Sequence, residues 1–93
     1  EYYPDFDHVY HQYVVRCRNR ERLAAYLRDK NIATLVHYPL PVHLQKAYLK
    51  RFNDSSKLQE TERIANEVLS LPMYPELSVK DIENVIEAIK DFK

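Results

Sequence analysis

Two prolines separated by a single residue place the strongest constraint on this chain. Pro39 and Pro41 lie within the nine residues VHYPLPVHL, numbered 36–44. A proline has no N–H to donate and pushes the preceding residue towards extended backbone, so no helix can run through this segment. We therefore predict a stiff, extended connector. His37 and Tyr38 lie at its start, where polar aromatic side chains on rigid backbone are suited to a binding site.

The composition indicates one globular domain and excludes several classes of protein. Of 93 residues, 45% are hydrophobic and 30% are charged, which is ordinary for a folded protein. The 14 basic and 14 acidic residues cancel, which removes the electrostatic case for nucleic-acid or acidic-membrane binding. No apolar run approaches the ~20 residues of a membrane span. The single cysteine fits a cytoplasmic location, and the absence of glycine excludes a glycine-rich phosphate loop.

Three segments have the composition of strands. The longest, HVYHQYVVRC at 8–17, is rich in β-branched and aromatic residues. Residues 32–36 and 69–73 are shorter apolar runs, and prolines follow or interrupt both of them. Strand alternation in the first segment predicts a core face formed by Val9, His11, Tyr13, Val15 and Cys17. Residues 1–7 show no clear period, and we interpret them as an incoming linker.

Two helices are predicted on either side of the connector. The first covers residues 20–30, with Asn19 as its N-cap and an apolar stripe of Leu23, Tyr26 and Leu27. Asn31 can take the left-handed conformation at its end, and Ile32 can then fold back on Leu27 in a Schellman motif. The second is a short helix over residues 42–50, where Leu44, Ala47 and Tyr48 are at helical spacing.

Two further helices are predicted after the polar, turn-rich loop at 51–57. Ser56 and Gln59 have the spacing of a capping box, which opens a helix through about residue 68. Ser78 and Asp81 cap the last helix, whose apolar residues follow the 3.6-residue period to Phe92. The resulting fold class is α+β, with a small antiparallel sheet of about three strands and helices packed on one face. Residues 8–93 form this single domain.

The histidines, the cysteine and an arginine run are candidate reactive or binding groups. His8 and His11 point to opposite faces of a strand, and no zinc-binding pattern is present, so we expect no metal site. Cys17 lies on the predicted core face, which favours an inert thiol over a nucleophile. The alternating Arg16, Arg18, Arg20 and Arg22 could clamp a phosphate, but a solvated edge is the more frequent arrangement.

Three blocks of the sequence together resemble the C-terminal segment of the DegT/StrS family of aminotransferases. The blocks are HVYHQYVVR, YLRDKNIATLVHYPLPVHLQKAYL and EVLSLPMYPELSVKDIENVIEAIKDF, which stand in the order found in that family. The resemblance runs from about His8 to Phe92. Asn31 departs from it, because many relatives have glycine at this turn.

The resemblance implies a part of a pyridoxal-phosphate (PLP) dependent enzyme that transfers an amino group to a nucleotide-linked keto-sugar, in polysaccharide or deoxyaminosugar biosynthesis. The fold implied is the small C-terminal domain of a fold-type I aminotransferase, in a homodimer. His37 and Tyr38 match a pair near the family's active site, and we predict that they and His43 bind the nucleotide-linked sugar. Their imidazole and phenol groups suit hydrogen bonding to sugar or diphosphate oxygens.

The same resemblance implies that the chemistry depends on a missing large catalytic domain. In this family the cofactor-bearing lysine and the phosphate-binding loop belong to the large domain. We therefore expect a fragment that contains no catalytic residue, binds no PLP by itself and is inactive alone. The alternative is a stand-alone binding or regulatory module that has the fold without the chemistry. A purely structural α+β domain is a third interpretation.

Overall fold

A computed structural model describes residues 5, 7–49 and 58–93 of the chain. Within them, the chain forms two short strands and three helices, and one turn of 3-10 helix lies between the first and second helices. The elements are β1 Tyr13–Arg16, α1 Arg20–Asp29, the 3-10 turn Val42–Leu44, α2 Gln59–Glu67, β2 Val68–Leu71 and α3 Val79–Asp91. None of the helices in these ranges is long and apolar enough to cross a membrane.

The sheet has two antiparallel strands in the described part of the chain, fewer than the three predicted. Tyr13 pairs with Leu71 at one end, and Arg16 pairs with Val68 at the other. The segment 32–36 joins β2 only through a single bridge, in which the backbone groups of Leu35 and Ser70 bond at 2.8 and 3.1 Å. Beyond residue 38 the segment cannot continue as a paired strand, because Pro39 and Pro41 have no backbone N–H to donate. The α+β class is confirmed.

The first strand is shorter than predicted. Residues 8–12 lie outside β1, and Tyr10 has a left-handed φ of 48°, which is incompatible with an extended strand. β2 offers only four partners, so the earlier residues have no strand to pair with. Val15 and Cys17 pack against the core as predicted, whereas Val9 is 88% exposed.

The core lies between one face of the sheet and helices α1 and α3. Its buried residues are Leu23, Leu27, Ile32, Leu69 and Ala88. We call this side of the sheet the packed face. Val14, Val68 and Ser70 alternate with its residues along the strands, so they belong to the opposite side, the open face. Helix α2 borders the open face, so the helices do not all pack on one side as predicted.

The end of α1 has the predicted Schellman geometry. Asn31 has a φ of 60°, the left-handed conformation that glycine usually supplies. The N–H of Ile32 donates to the Leu27 carbonyl at 2.9 Å, and the N–H of Asn31 donates to the Arg28 carbonyl at 2.9 Å. These bonds turn the chain directly from α1 towards the segment that ends in the connector. At the other end of α1, Asn19 makes no side-chain cap, contrary to prediction.

Two helix predictions need correction near the connector. Residues 42–49 do not form a regular helix, because only Val42–Leu44 make a 3-10 turn and Gln45 then becomes extended with ψ 139°. Residue 50 lies outside the described residues. The helix α2 begins at Gln59 and ends at Glu67, one residue before the predicted end. The predicted loop at 51–57, including the capping residue Ser56, lies outside the described residues.

The N-terminus of α3 is capped as predicted. The Ser78 hydroxyl accepts a bond from the Asp81 N–H at 3.1 Å and donates to the Asp81 carboxylate at 2.5 Å. This pair fixes where α3 begins, and so which residues of the helix face the sheet.

Ser78→Ala is therefore expected to lower the free energy of unfolding by about 1 kcal/mol, because a helix N–H loses its acceptor. Urea denaturation of the 93-residue chain measures the change. Ser78→Asp is the matched control, since a carboxylate retains the acceptor and should preserve most of the stability. An equal loss in both variants would contradict the capping role.

Candidate functional site

The connector closes a cleft against the open face of the sheet and against α2. The cleft has a volume of about 430 Å³. Its walls come from three parts of the chain: Val14 and Val68 of the open face; Thr61, Ile64 and Ala65 of α2; and His37, Tyr38, Leu40, Pro41, Val42 and Gln45 of the connector. We call it the connector cleft. Most of its lining is apolar, and His37 and Tyr38 supply the two aromatic polar groups.

His37 is held at the wall of this cleft by a hydrogen bond to the sheet. Its Nδ1 lies 2.9 Å from the hydroxyl of Ser70 on β2. The ring is half-buried, and the His37–Tyr38 peptide bond is cis. Nε2 has no hydrogen-bond partner among the described residues. One edge of the imidazole is thus fixed by the protein while the other edge is available to a ligand.

Tyr38 is the most accessible aromatic group of the connector cleft. Its residue is 72% exposed, and its ring meets the ring of His37 edge to face, with centroids 5.5 Å apart. Such an edge-to-face contact is a favourable arrangement of two aromatic rings. The sequence prediction placed His37 and Tyr38 together at the start of the connector, and the structure brings both side chains to one cleft.

His43 is held apart from that pair. Its Nε2 lies 3.1 Å from a carboxylate oxygen of Glu62, so the bond joins the 3-10 turn to α2. His43 is not among the residues that line the connector cleft. Its Nδ1 has no partner within the described residues, and this nitrogen is the one through which His43 could meet a ligand.

Most of the arginines between residues 16 and 22 make contacts with other residues of the chain. Arg16 forms an ion pair with Glu67. Arg20 pairs with Glu21 and donates to the Ala65 carbonyl at 2.7 Å. Arg22 stacks over the Phe92 ring, with its guanidinium carbon 5.3 Å from the ring centroid. Three of the four guanidinium groups therefore have internal partners, which agrees with an edge rather than a phosphate clamp.

Cys17 and the acidic and histidine side chains show no reactive grouping. Cys17 is a free, half-buried thiol that packs against the core. Across residues 5, 7–49 and 58–93, no three side chains of His, Cys, Asp or Glu converge in a way that could hold a metal ion.

Two polar residues that support the site were missed in the sequence. Ser70 holds His37, and Glu62 holds His43. The signal for Ser70 was available, because a serine between Leu69 and Leu71 is a polar residue inside a short apolar strand. Glu62 carries no such signal, since a glutamate on a polar helix surface is ordinary.

Comparison with known proteins identifies the family. The family model described as the DegT/DnrJ/EryC1/StrS aminotransferase family matches residues 2–90. The chain belongs to this family. Among characterised members, it is 45% identical over 85 residues to the "Pleiotropic regulatory protein" of Geobacillus stearothermophilus, covering 91% of this chain and 23% of that protein. It is 43% identical over 88 residues to the dTDP-3-amino-3,6-dideoxy-alpha-D-galactopyranose transaminase of Aneurinibacillus thermoaerophilus, covering 95% and 24%.

Solved structures of DegT/DnrJ/EryC1/StrS aminotransferases share the fold. DesV of S. venezuelae, in complex with a ketimine intermediate, superposes with a TM-score of 0.86 and 39% identity, covering 96% of this chain and 24% of DesV. NtdA of Bacillus subtilis, with bound cofactor PMP, gives a TM-score of 0.76 and 30% identity, covering 90% and 20%. The chain therefore spans about a quarter of the length of the relatives that it matches.

Among the described residues, no lysine fits the covalent attachment of the PLP used by this aminotransferase family. Such attachment needs a lysine amine, activated by burial or by a neighbouring positive charge. The described lysines are all exposed, and none lines the connector cleft: Lys30, Lys46, Lys80, Lys90 and Lys93. We therefore derive no chemical step through the cofactor from this part of the protein.

Proposed function

We propose that this chain is the C-terminal portion of a PLP-dependent aminotransferase that transfers an amino group to a nucleotide-linked keto-sugar. Its own contribution is a wall of the substrate site, formed by His37 and Tyr38. The observation that carries the proposal is the connector cleft, which His37 and Tyr38 both line and where Tyr38 is 72% exposed. The family membership supplies the reaction class.

The side chains of the cleft suit a sugar nucleotide. An imidazole N–H and a phenol O–H are hydrogen-bond donors to the hydroxyl and diphosphate oxygens of such a ligand. The apolar lining from Val14, Val68 and Ile64 can pack against the non-polar face of a sugar ring. His43 does not line the cleft, so its Nδ1 would meet a part of the ligand that extends beyond the cleft, and its bond to Glu62 holds the connector against α2.

An apolar groove on the packed side supports the proposal that a larger domain completes the protein. The groove has a volume of about 430 Å³ and lies between α3 and the sheet. Ile82 and Ile86 of α3, at 43% and 45% exposure, line it together with Leu71 and Met73. Exposed apolar side chains in such a group mark an interaction surface. We assign it to the missing large catalytic domain, in a cytoplasmic homodimer.

One relative favours a second candidate function. The Geobacillus protein is named a regulatory protein, which is consistent with a binding or regulatory module that has this fold. The two functions differ in what the intact protein does. An aminotransferase supplied with PLP and an amino donor converts a nucleotide-linked keto-sugar to the amino-sugar, whereas a regulatory module binds its ligand unchanged.

The test begins with the 93-residue chain, titrated separately with PLP and with a nucleotide-linked sugar such as UDP-N-acetylglucosamine. We expect no lysine to be labelled by PLP after borohydride reduction at stoichiometric cofactor. We expect the amide NMR shifts caused by the sugar nucleotide to centre on His37 and Tyr38, because these groups line the cleft. Stoichiometric labelling of one specific lysine would contradict the proposal that this chain contributes to the substrate site and does not hold the cofactor.

The intact protein then decides between the two functions. Formation of the amino-sugar, followed by mass spectrometry with PLP and glutamate present, is the result expected of an aminotransferase. Binding of the sugar nucleotide without turnover, in protein that has its full complement of cofactor, would support the regulatory module instead.

A further inference from the structure

Ser70 is the one buried polar residue in the described part of the chain, at 5% exposure. It lies on β2, on the open face of the sheet. Its backbone N–H and carbonyl are both satisfied by Leu35, at 2.8 and 3.1 Å. Its hydroxyl therefore remains as the group that needs a side-chain partner, and that partner is Nδ1 of His37 at 2.9 Å.

The surroundings of Ser70 determine which way the proton points. No other described group bonds to this hydroxyl. If the imidazole donated from Nδ1, the buried hydroxyl proton would have no acceptor, and an unpaired buried donor costs free energy. If the hydroxyl donates to Nδ1, the buried hydroxyl proton has its acceptor, and only Nε2 is left for a ligand. The second arrangement places the single proton of a neutral imidazole on Nε2.

We propose that Ser70 is a positioning residue that holds His37 in the Nε2–H tautomer, so that His37 meets the substrate as a hydrogen-bond donor. This inference rests on the proposed function, because it concerns the same substrate wall. A donor at Nε2 recognises an acceptor, such as a diphosphate oxygen or a carbonyl oxygen of the sugar. Two contacts fix the ring that presents it, namely the Ser70 bond at one edge and the Tyr38 ring beside it.

The arrangement has a chemical consequence for selectivity. A histidine whose proton is free to occupy either nitrogen can accept as well as donate, so it discriminates poorly between hydroxyl and oxyanion groups. With the tautomer fixed, the site favours groups that only accept, such as the diphosphate. Ser70 therefore acts through His37 and does not itself need to touch the ligand.

The experiment compares Ser70→Ala, Ser70→Thr and His37→Ala in the intact aminotransferase. Loss of the positioning bond in Ser70→Ala is expected to raise the KM for the nucleotide-linked sugar roughly 2- to 10-fold, the effect of one hydrogen bond. The KM for the amino donor and the cofactor absorbance should stay unchanged. Ser70→Thr retains the hydroxyl and is compatible with a strand, so it should restore most of the affinity.

A spectroscopic readout separates positioning from a merely structural role. Long-range ¹H–¹⁵N NMR of the His37 ring, recorded with the imidazole neutral, should show the Nε2–H tautomer in the wild type and in Ser70→Thr. Ser70→Ala should give a mixture of tautomers. An Nδ1–H tautomer in the wild type would overturn the proposal, as would a loss of affinity in Ser70→Ala that Ser70→Thr does not restore.

The His37→Ala variant distinguishes the two levels of inference. If His37→Ala raises the KM for the sugar while Ser70→Ala does not, Ser70 has no positioning role, but His37 still belongs to the substrate site. If His37→Ala leaves the sugar KM unchanged, the substrate wall is wrong and the positioning role fails with it.

Discussion

Under the proposed function, replacing His37 with alanine in the intact protein is expected to lower kcat/KM for the nucleotide-linked sugar by about 10- to 100-fold. The reason is the loss of a hydrogen bond to a charged or strongly polar oxygen, which contributes about 1.5–3 kcal/mol. Tyr38→Phe removes only the phenol hydroxyl and should give a smaller loss in the same direction. Steady-state kinetics with varied sugar nucleotide measures both effects.

The cofactor provides the internal control for this experiment. None of the residues that line the connector cleft is a lysine. The absorbance of bound PLP should therefore be the same in His37→Ala and in the wild type. His8→Ala is the matched substitution, because His8 is exposed and lies outside the connector cleft. It should leave kcat/KM unchanged. Unaltered turnover in His37→Ala would show that His37 does not contribute to the substrate site.

The largest expected effect on stability is that of Leu27→Ala. Leu27 is fully buried, at 0% exposure, where α1 packs on the sheet and its carbonyl receives the Schellman bond from Ile32. Truncating a buried leucine removes apolar contacts and leaves a cavity, which costs about 3 kcal/mol. Such a loss is a large part of the 5–15 kcal/mol that stabilises a typical domain.

Chemical denaturation tests this expectation on the 93-residue chain. The midpoint should fall in Leu27→Ala while the slope with denaturant stays unchanged, because the surface exposed on unfolding is nearly the same. Leu49→Ala is the matched control, since Leu49 is 54% exposed, and its effect should stay within about 0.5 kcal/mol. Equal losses in both variants would show that the core is not organised around α1.

The part of the candidate site that could be predicted from sequence is the part that the rigid, proline-containing backbone positions. The prolines at 39 and 41 made the connector predictable, and with it the shared position of His37 and Tyr38. The partners of the histidines were not predictable in the same way. Ser70 and Glu62 are 33 and 19 residues away from their histidines, and no local pattern encodes a contact across that distance.

The number of strands shows the same limit for the fold. An apolar run such as 32–36 has the composition of a strand, but a strand exists only where a partner offers its backbone groups. All four residues of β2 pair with β1, whereas on the other edge of β2 only Ser70 bonds to the segment 32–36, through a single bridge at Leu35. The short helix predicted at 42–50 failed for a related reason, since helical spacing of apolar residues does not guarantee a surface to pack on.

The sequence by itself determined the local features of this protein. The left-handed Asn31 and the Ser78 cap each depend on the backbone preferences of a few adjacent residues, and both are present in the structure. The connector is extended at Pro41 but turns into a 3-10 helix at Val42–Leu44. Only the tertiary structure decided which faces meet. It brought the connector against the open face and α2, and it placed the hydroxyl of Ser70 against His37, because burial forces distant polar groups to find partners.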